Sequence, residues 1–194
     1  MTLGWTESLD GPRSLGTAAD VAVAVLEDPG VVEISAHRDS AIAAALGLPV
    51  EPWRTAQSGT RQVVWSGPDR WIVLAPRDDI DPLLHDLNAA ANDRSATIVD
   101  LTGAYTAFRI AGAAASDVLM QVCPLDLAPI AAGMARGTSI AGVDTVLIRE
   151  GGSVPLWLAL TPRSQAAQIA RALVEAARPE HRIGLFQRRT APPV

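Results

Sequence analysis

The sequence predicts an α+β fold in which a β-α-β-β-α unit occurs twice, with helices covering mixed, mainly antiparallel sheets. The first observation is an internal repeat, because WIVLAPR (71–77) matches WLALTPR (157–163) at its Trp, Leu, Pro and Arg positions. The second is that each match precedes a helix-like, alanine-rich stretch, DDIDPLLHDLNAAA and SQAAQIARALVEAA. Matched blocks in the same order indicate a duplicated supersecondary unit. Antiparallel hairpins must bury one face, which the helices would cover.

The first half, residues 21–92, opens with a strand and a short helix. The β-branched run VVEIS predicts the strand. The segment DSAIAAALG predicts the helix, because Asp39 and Ser40 are capping residues and Gly47 is a usual stop signal.

A hairpin and a second helix complete the first half. RQVVWSGPDRWIVLA predicts two strands around the turn SGPD. Asp81 and Pro82 mark the start of the closing helix. Leu83 and Leu87 lie four residues apart and predict its buried face.

The second half, residues 93–177, follows the same plan. TIVDL and YTAFRIA predict strands, and ASDVLMQVC predicts a helix that ends before Pro124. VDTVLIREGGSVPLWLAL predicts two strands around EGGS. For the closing helix we expect Thr161 as the N-cap and Pro162 as the first helical residue. Ile169, together with the leucine four residues later, predicts its buried face.

The two ends of the chain look different from the repeat. Residues 1–20 are expected to form a loose N-terminal arm, and residues 178–194 a tail. The tail has an apolar core, IGLF, flanked by arginines that include Arg188 and Arg189. It is interpreted either as a frayed terminus with a local anchor or as an arm that docks onto an acidic partner.

Composition limits the classes of function. The chain has 194 residues, 48% of them hydrophobic, which is typical of a folded globular protein. Its net charge of −5 argues against a nucleic-acid partner. One Cys indicates a reducing compartment, and neither a signal peptide nor an apolar run long enough to cross a membrane stands out. We therefore expect a soluble cytoplasmic protein without a membrane or nucleic-acid partner.

The usual metal and cofactor motifs do not stand out. His37, His85 and His181 are far apart and lack the spacings typical of zinc sites. The chain has no Lys, which excludes a Schiff-base or P-loop lysine, and it has no G-x-G-x-x-G motif. We therefore expect no metal or cofactor on this chain.

The single cysteine, Cys123 in QVCPLDLAP (121–129), has two interpretations. A nucleophile needs a base and a lowered thiol pKa, which a helix N-terminus favours. Cys123 instead follows the C-terminus of a predicted helix, where the helix dipole disfavours a thiolate. In the repeat Pro49 corresponds to Pro124, so Leu48 corresponds to Cys123. A position that is Leu in one half and Cys in the other favours a packing role for Cys123.

Several acidic and basic side chains also have structural interpretations. The three aspartates of RDDID (77–81) lie at a predicted helix start, where the dipole favours acidic groups. Asp100 follows an apolar strand, and we expect it to cap the following turn rather than to act in catalysis. Arg77 and Arg163 are related by the repeat and are interpreted as helix-entry or ion-pair residues, with anion binding as the alternative.

Four segments resemble the gamma subunit family of heterotetrameric sarcosine oxidases. VVWSGPDRWIVL resembles its W-x-G-P-D-E-W segment, and VLMQVCPLDLAP resembles its G-C-P-L-D-L-H-P segment. DLTGAYTAFRIAG and WLALTPRSQAAQIARALVEAA are similar to two further segments, in the same order, over residues 31–177. Three departures stand out: Arg70 in place of Glu, EIS (33–35) in place of N-L-R, and Ala128 in place of His.

The resemblance implies a fold related to the aminomethyltransferase folate-binding domain of the glycine cleavage system. It also implies a complex with alpha, beta and delta subunits that oxidatively demethylates sarcosine to glycine. Those other subunits would carry FAD, FMN, NAD, tetrahydrofolate and zinc. This chain would then be a non-catalytic accessory subunit.

Two alternatives stay open, namely a stand-alone folate-binding protein of the same fold and an enzyme that uses Cys123. For the accessory subunit we expect no catalytic, cofactor-binding or metal-binding residues. The expected subunit interface combines the PLDL loop, the acidic residue of TIVDL and the tail, and Asp126 is its foremost candidate. Its residues are Asp100, Cys123, Pro124, Leu125, Asp126, Arg188 and Arg189.

Overall fold

A computed structural model describes residues 13–18, 20–26, 29–91 and 96–179. The strands in these ranges are β1 (Arg13–Ala18), β2 (Val21–Leu26), β3 (Gly30–Ala36), β4 (Thr55–Ser58), β5 (Arg61–Gly67), β6 (Arg70–Ala75), β7 (Ala96–Asp100), β8 (Tyr105–Ala111), β9 (Met134–Ile140), β10 (Val143–Arg149) and β11 (Leu156–Pro162). The helices are α1 (Ala41–Leu46), α2 (Ile80–Ala90), α3 (Ala115–Val122) and α4 (Ala166–Ala177).

The strands form two antiparallel sheets that pack face to face, with helices on the outside. Sheet A has the order β1-β2-β8-β11-β10-β9, and sheet B has the order β4-β5-β6-β3-β7. One apolar cluster, which includes Leu26, Ile72 and Leu158, fills the space between the sheets. A second cluster joins sheet A to α3 and α4, and a third joins sheet B to α1 and α2. This four-layer arrangement confirms the predicted α+β fold.

The duplication is present, but each half is larger than the sequence predicted. Each half runs β-β-α-β-β-β-α, which is two strands more than the predicted unit: β2 and β4 in the first half, and β7 and β9 in the second. Each half also gives its first strand to the sheet of the other half. β2 pairs with β8 in sheet A, and β7 pairs with β3 in sheet B. Apolar periodicity can locate such strands, but it does not say which strand they will pair with.

Two expectations about the ends of elements are wrong. The loose arm does not extend to residue 20, because β1 pairs with β2 from Arg13 onward. Thr161 is not an N-cap, since pairing of β11 with β8 continues through Thr161 and Pro162. A short 3-10 turn follows, and α4 begins only at Ala166. Thr161 Oγ1 is buried without a hydrogen-bond partner among the described residues, so it satisfies no helix N–H group.

Local signals placed several other elements correctly. Ser40 Oγ accepts a hydrogen bond from Ala43 N, and Gly47 ends α1 in the left-handed region at φ 57°. Both predicted hairpins form, as β5-β6 and β10-β11. The repeated tryptophans, Trp71 and Trp157, are both 1% exposed. They therefore anchor equivalent strands in the two halves.

Candidate functional site

The PLDL segment that follows α3 combines buried anchors with an exposed loop. Cys123 ends the helix in extended conformation, as the following proline favours, and its side chain is 5% exposed. Leu127 is buried in the same cluster between sheet A and α3/α4. Pro124 and Asp126 are exposed, and Leu125 is half-buried. The loop therefore presents Pro124 and Asp126 on a firmly anchored backbone, and Leu125 packs partly against the same cluster.

Cys123 has the surroundings of a packing residue. Its Sγ lies 3.3 Å from the hydroxyl of Thr138 and belongs to an apolar cluster. Its counterpart in the first half, Leu48, is 6% exposed in the equivalent cluster. A reactive thiolate needs partial exposure and a positive environment, and a buried thiol beside a neutral hydroxyl provides neither. The packing interpretation of Cys123 fits this geometry.

The two predicted interface aspartates each cap their own turn. Asp126 Oδ1 accepts a hydrogen bond of 3.0 Å from Ala128 N, and Asp100 Oδ1 accepts one of 2.8 Å from Thr102 N. Both are Asx turns, which fix the local backbone. Asp100 ends β7 in sheet B, whereas Asp126 follows α3, which covers sheet A. The structure thus puts these candidates on different layers. Arg188 and Arg189 lie outside the described residues.

Two departures from the family pattern are neighbours in sheet B. Ser35 and Arg70 face each other in the β3-β6 register, at the positions where the family pattern has Arg and Glu. The guanidinium of Arg70 instead bonds to Glu33 Oε1 at 3.2 Å. The side chain of Arg70 is 58% exposed, so this ion pair contributes little to stability. Two departures from the pattern thus lie side by side on β3 and β6, and Glu33 of the first segment pairs with Arg70 of the second.

The repeat-related arginines lie at equivalent entries to helices. Arg77 and Arg163 each begin a 3-10 turn that leads into α2 or α4, and both are exposed. Asp79, in the first of these turns, accepts a hydrogen bond of 2.7 Å from the hydroxyl of Thr60. These contacts match the structural interpretation of the RDDID segment.

A buried polar pair that the sequence analysis missed connects the two sheets. Gln62 on β5 donates a hydrogen bond of 3.0 Å from Nε2 to Glu150 Oε1, just after β10. Both side chains are buried, at 2% and 5% exposure. Burial raises the pKa of Glu150 to about 7, although the hydrogen bond from Gln62 opposes the shift. Gln62 Oε1 has no partner among the described residues, and a protonated Glu150 could donate to it. Local sequence patterns do not indicate which residues 88 positions apart will pair. Glu150 is also the first residue of EGGS, a segment that is typical of an exposed turn.

Trp53 marks a second feature that the sequence analysis missed, the junction between β4 and β9. Its backbone has φ 67°, which is unusual for a bulky side chain. Ala135 N donates to the carbonyl of Trp53 at 2.8 Å. The ring packs edge-on against Trp65 at 5.1 Å, and the Arg136 guanidinium lies 5.2 Å from its centroid. These contacts hold the strained residue and join one edge of sheet B to one edge of sheet A.

The described residues form two concave surfaces outside the cores. A groove of about 550 Å³ between β1 and α4 includes Leu15 and Val174, and a pocket of about 200 Å³ includes Trp65 and Trp71. Within the described ranges no three His, Cys, Asp or Glu side chains come together as a metal site. His181 lies outside those ranges. The described helices include none that is long and apolar enough to span a membrane.

Solved structures show the same fold in known proteins. A chain of the heterotetrameric sarcosine oxidase from Corynebacterium sp. U-96 in complex with pyrrole 2-carboxylate is 27% identical, with a TM-score of 0.76. The match covers 87% of this chain and 90% of that one. Aminomethyltransferase T of the glycine cleavage system from Bartonella henselae is 14% identical, with a TM-score of 0.65, over 86% of this chain and 51% of that one. The second likeness shows the fold alone and agrees with the predicted relation.

Sequence comparisons identify the family. Sarcosine oxidase subunit gamma from Arthrobacter sp is 36% identical over 118 residues, which are 58% of this chain and 57% of that protein. The match thus spans little more than half the length of that relative. Sarcosine oxidase subunit gamma from Corynebacterium sp. (strain P-1) is 32% identical over 155 residues, 78% of this chain and 72% of that protein. The family model of the sarcosine oxidase gamma subunit matches residues 33–177. The chain therefore belongs to the sarcosine oxidase gamma subunit family.

Proposed function

We propose that this chain is an accessory subunit of a heterotetrameric sarcosine oxidase-type complex that oxidatively demethylates sarcosine to glycine. The observation that carries the proposal is the match to a chain of a heterotetrameric sarcosine oxidase. That match covers 87% of this chain and 90% of the other, so nearly the whole fold is shared. Family membership over residues 33–177 supports the same role.

The chemistry of the described residues supports a role in assembly. Cys123 is enclosed by apolar side chains, and Asp100 and Asp126 cap their own turns. The space between the sheets is filled by side chains such as Val64, Ile148 and Leu160. A rigid body of this kind can position other subunits without itself taking part in the reaction.

The proposed partners are the alpha, beta and delta subunits, which would carry FAD, FMN, NAD, tetrahydrofolate and zinc. The complex is proposed to act in the cytoplasm. On this chain we propose the PLDL loop as one contact region, because Pro124 and Asp126 are exposed and the half-buried Leu125 lies between them on a backbone anchored by Leu127. Arg188 and Arg189 are proposed as a second contact region.

Co-expression tests the proposed function. The chain should elute with the alpha, beta and delta subunits on size exclusion, and leaving it out should lower the yield or the sarcosine oxidation rate of the complex. A chain that elutes alone, while the other three subunits are fully active together, would contradict the proposal.

A paired substitution tests the PLDL loop. Leu125→Arg should weaken incorporation into the complex, because a charge replaces a half-buried apolar contact at the proposed interface. Val154→Arg is the matched control, since Val154 is 51% exposed in the β10-β11 loop. Leu125 also packs against the cluster between sheet A, α3 and α4, so thermal unfolding of both variants is measured first and incorporation is compared below their melting temperatures. Equal incorporation of the two variants would remove the loop from the interface.

The stand-alone folate-binding alternative remains a prediction that fold likeness alone does not test. Pockets for small molecules typically exceed about 300 Å³ and combine apolar walls with a few polar groups. The groove between β1 and α4 is large enough, but it lies along an outer helix. Calorimetric titration with tetrahydrofolate should show no binding at millimolar ligand, and a saturable heat would favour the alternative.

A further inference from the structure

Among the described residues sheet A has six strands and sheet B has five, and the difference falls at the outer edge of β7. We propose that this edge accepts an extended, antiparallel strand from another subunit of the complex. This proposal rests on the proposed function and names the chemistry of one contact with a partner.

The internal duplication shows which position lacks a strand. Trp71 and Trp157 are equivalent, and their cross-strand neighbours are Ile34 and Ile110. The equivalence therefore extends from β6 and β11 to β3 and β8. The next strand outward is β7 in sheet B and β2 in sheet A. β2 has a further neighbour, β1, whereas β7 has none among the described residues.

The other three sheet edges are modified in ways that hinder strand addition. β4 and β9 are joined, because Ala135 N donates to the carbonyl of Trp53 and Thr55 N donates to that of Gly133. β1 has a register shift between Ser14 and Gly16, and irregularities of this kind hinder further pairing. β7 has no described irregularity in its register. It is therefore the regular edge available for pairing in the part of the chain that the structure describes.

The direction of the backbone hydrogen bonds in β7 follows from its pairing with β3. Leu101 N donates to the carbonyl of Val31 at 2.8 Å, so this N–H points toward β3, whereas Val31 N donates to Thr102 Oγ1. Backbone groups alternate in direction along an antiparallel strand, so the N–H and C=O groups of Thr97 and Val99 also point toward β3. The N–H and C=O groups of Ile98 and Asp100 consequently point outward. These are the groups that a docking strand would pair with.

The side chains of β7 suit a pairing surface. ATIVD has three β-branched residues at its centre and no Pro, Lys or Arg, residues that protect exposed edges. Val99 is 40% exposed, and Thr97 is exposed on the same face. An incoming strand with small or β-branched residues would cover both of them.

The charge of Asp100 indicates the charge of the incoming strand. Val99 of β7 pairs with Glu33 of β3, and Ala24 of β2 pairs with Arg109 of β8. Arg109 is the equivalent of Glu33, so Ala24 is the equivalent of Val99. One residue further along, Asp100 is thus the counterpart of Val25, so the duplication has an acidic group at this position in sheet B and an apolar one in sheet A. Asp100 is the one charged residue of β7, and it is exposed. A basic residue opposite Asp100 would therefore complement this edge.

Amide hydrogen exchange tests the proposal at single residues. In the isolated chain the amides of Thr97 and Val99 should be protected, and those of Ile98 and Asp100 should exchange rapidly. In the assembled complex the Ile98 and Asp100 amides should become protected as well. Protection of these two amides already in the isolated chain would mean that another part of this chain occupies the edge, and it would overturn the proposal.

Substitutions give a second measurement. Val99→Lys should weaken incorporation about tenfold or more, because a charged edge side chain hinders strand pairing and one lost hydrogen bond corresponds to about that factor. Val154→Lys makes the same change at another exposed valine and should have no effect. Asp100→Asn keeps the Asx-turn acceptor but removes the charge, so it should cause a smaller loss. Equal affinity of Val99→Lys and Val154→Lys would contradict the proposal.

The two hypotheses fail in different ways. A wild-type chain that does not join the other subunits would contradict the proposed function, and with it the partner of β7. A complex that forms while the Ile98 and Asp100 amides remain unprotected would contradict only the strand-accepting edge.

Discussion

The substitution Glu150→Gln should make the chain less sensitive to pH. Burial raises the pKa of Glu150 from 4.5 to about 7. Between these pH values the Glu150 carboxyl is therefore mostly protonated in the folded chain and mostly ionised in the unfolded chain. The folded state then binds more protons than the unfolded state between these pH values, and stability falls as pH rises. The contribution is fully present below about pH 4.5 and is lost as pH rises through about 7.

The size of this effect follows from the two pKa values. At roughly 1.4 kcal/mol for each pKa unit, the difference between 4.5 and about 7 corresponds to about 3 kcal/mol. Glutamine is neutral at every pH and can still accept the hydrogen bond from Gln62. The variant should therefore gain stability relative to the wild type as pH rises, with most of the gain complete by about pH 8.

Urea unfolding at a series of pH values measures this difference directly. The free energy of unfolding of Glu150→Gln minus that of the wild type should rise between pH 4.5 and 7 and then level off. Glu51→Gln is the control, because its carboxylate is 71% exposed and pairs with Arg54 at the surface. Its difference should stay within about 1 kcal/mol at every pH. A Glu150→Gln difference as flat as that of the control would refute the reasoning.

Three further substitutions test separate parts of the fold. Gly112→Ala should destabilise the chain by more than about 2 kcal/mol, because Gly112 has φ 133° and a Cβ there would overlap the carbonyl of Asp20. Gly151→Ala is the control, since Gly151 has open space around it and the substitution should change thermal unfolding little. Ser40→Ala should cost about 1 kcal/mol in urea unfolding through loss of the α1 cap, and no change would remove Ser40 from that role. Cys123→Ser should leave the sarcosine oxidation rate of the assembled complex unchanged, and a loss of rate with intact assembly would mean that the thiol acts in the reaction.

Local sequence signals predicted much of the fold. The Trp-Pro-Arg repeat located two equivalent hairpins, because both tryptophans are buried anchors. The repeat also identified Leu48 and Cys123 as equivalent, and both lie in equivalent apolar clusters. Glycine and proline ended α1 and α3 where expected, since their effects depend only on neighbouring residues.

Long-range features could not be predicted in the same way. β4, with the polar sequence TAQS, and β9, with MARGTSI, lack the alternation that marks a half-buried strand. The exchange of β2 and β7 depends on which sheet buries each strand, and no local pattern contains that information. The Gln62–Glu150 pair and the free edge of β7 likewise arise only when the two halves come together.

Native mass spectrometry of the purified complex tests the central claim most directly. If the chain is an accessory subunit, the intact assembly should contain one copy of this 20.3 kDa chain with one alpha, one beta and one delta subunit, and gentle dissociation should release it. An active assembly of the other three subunits from which this chain is absent, although all four were co-expressed, would contradict the account.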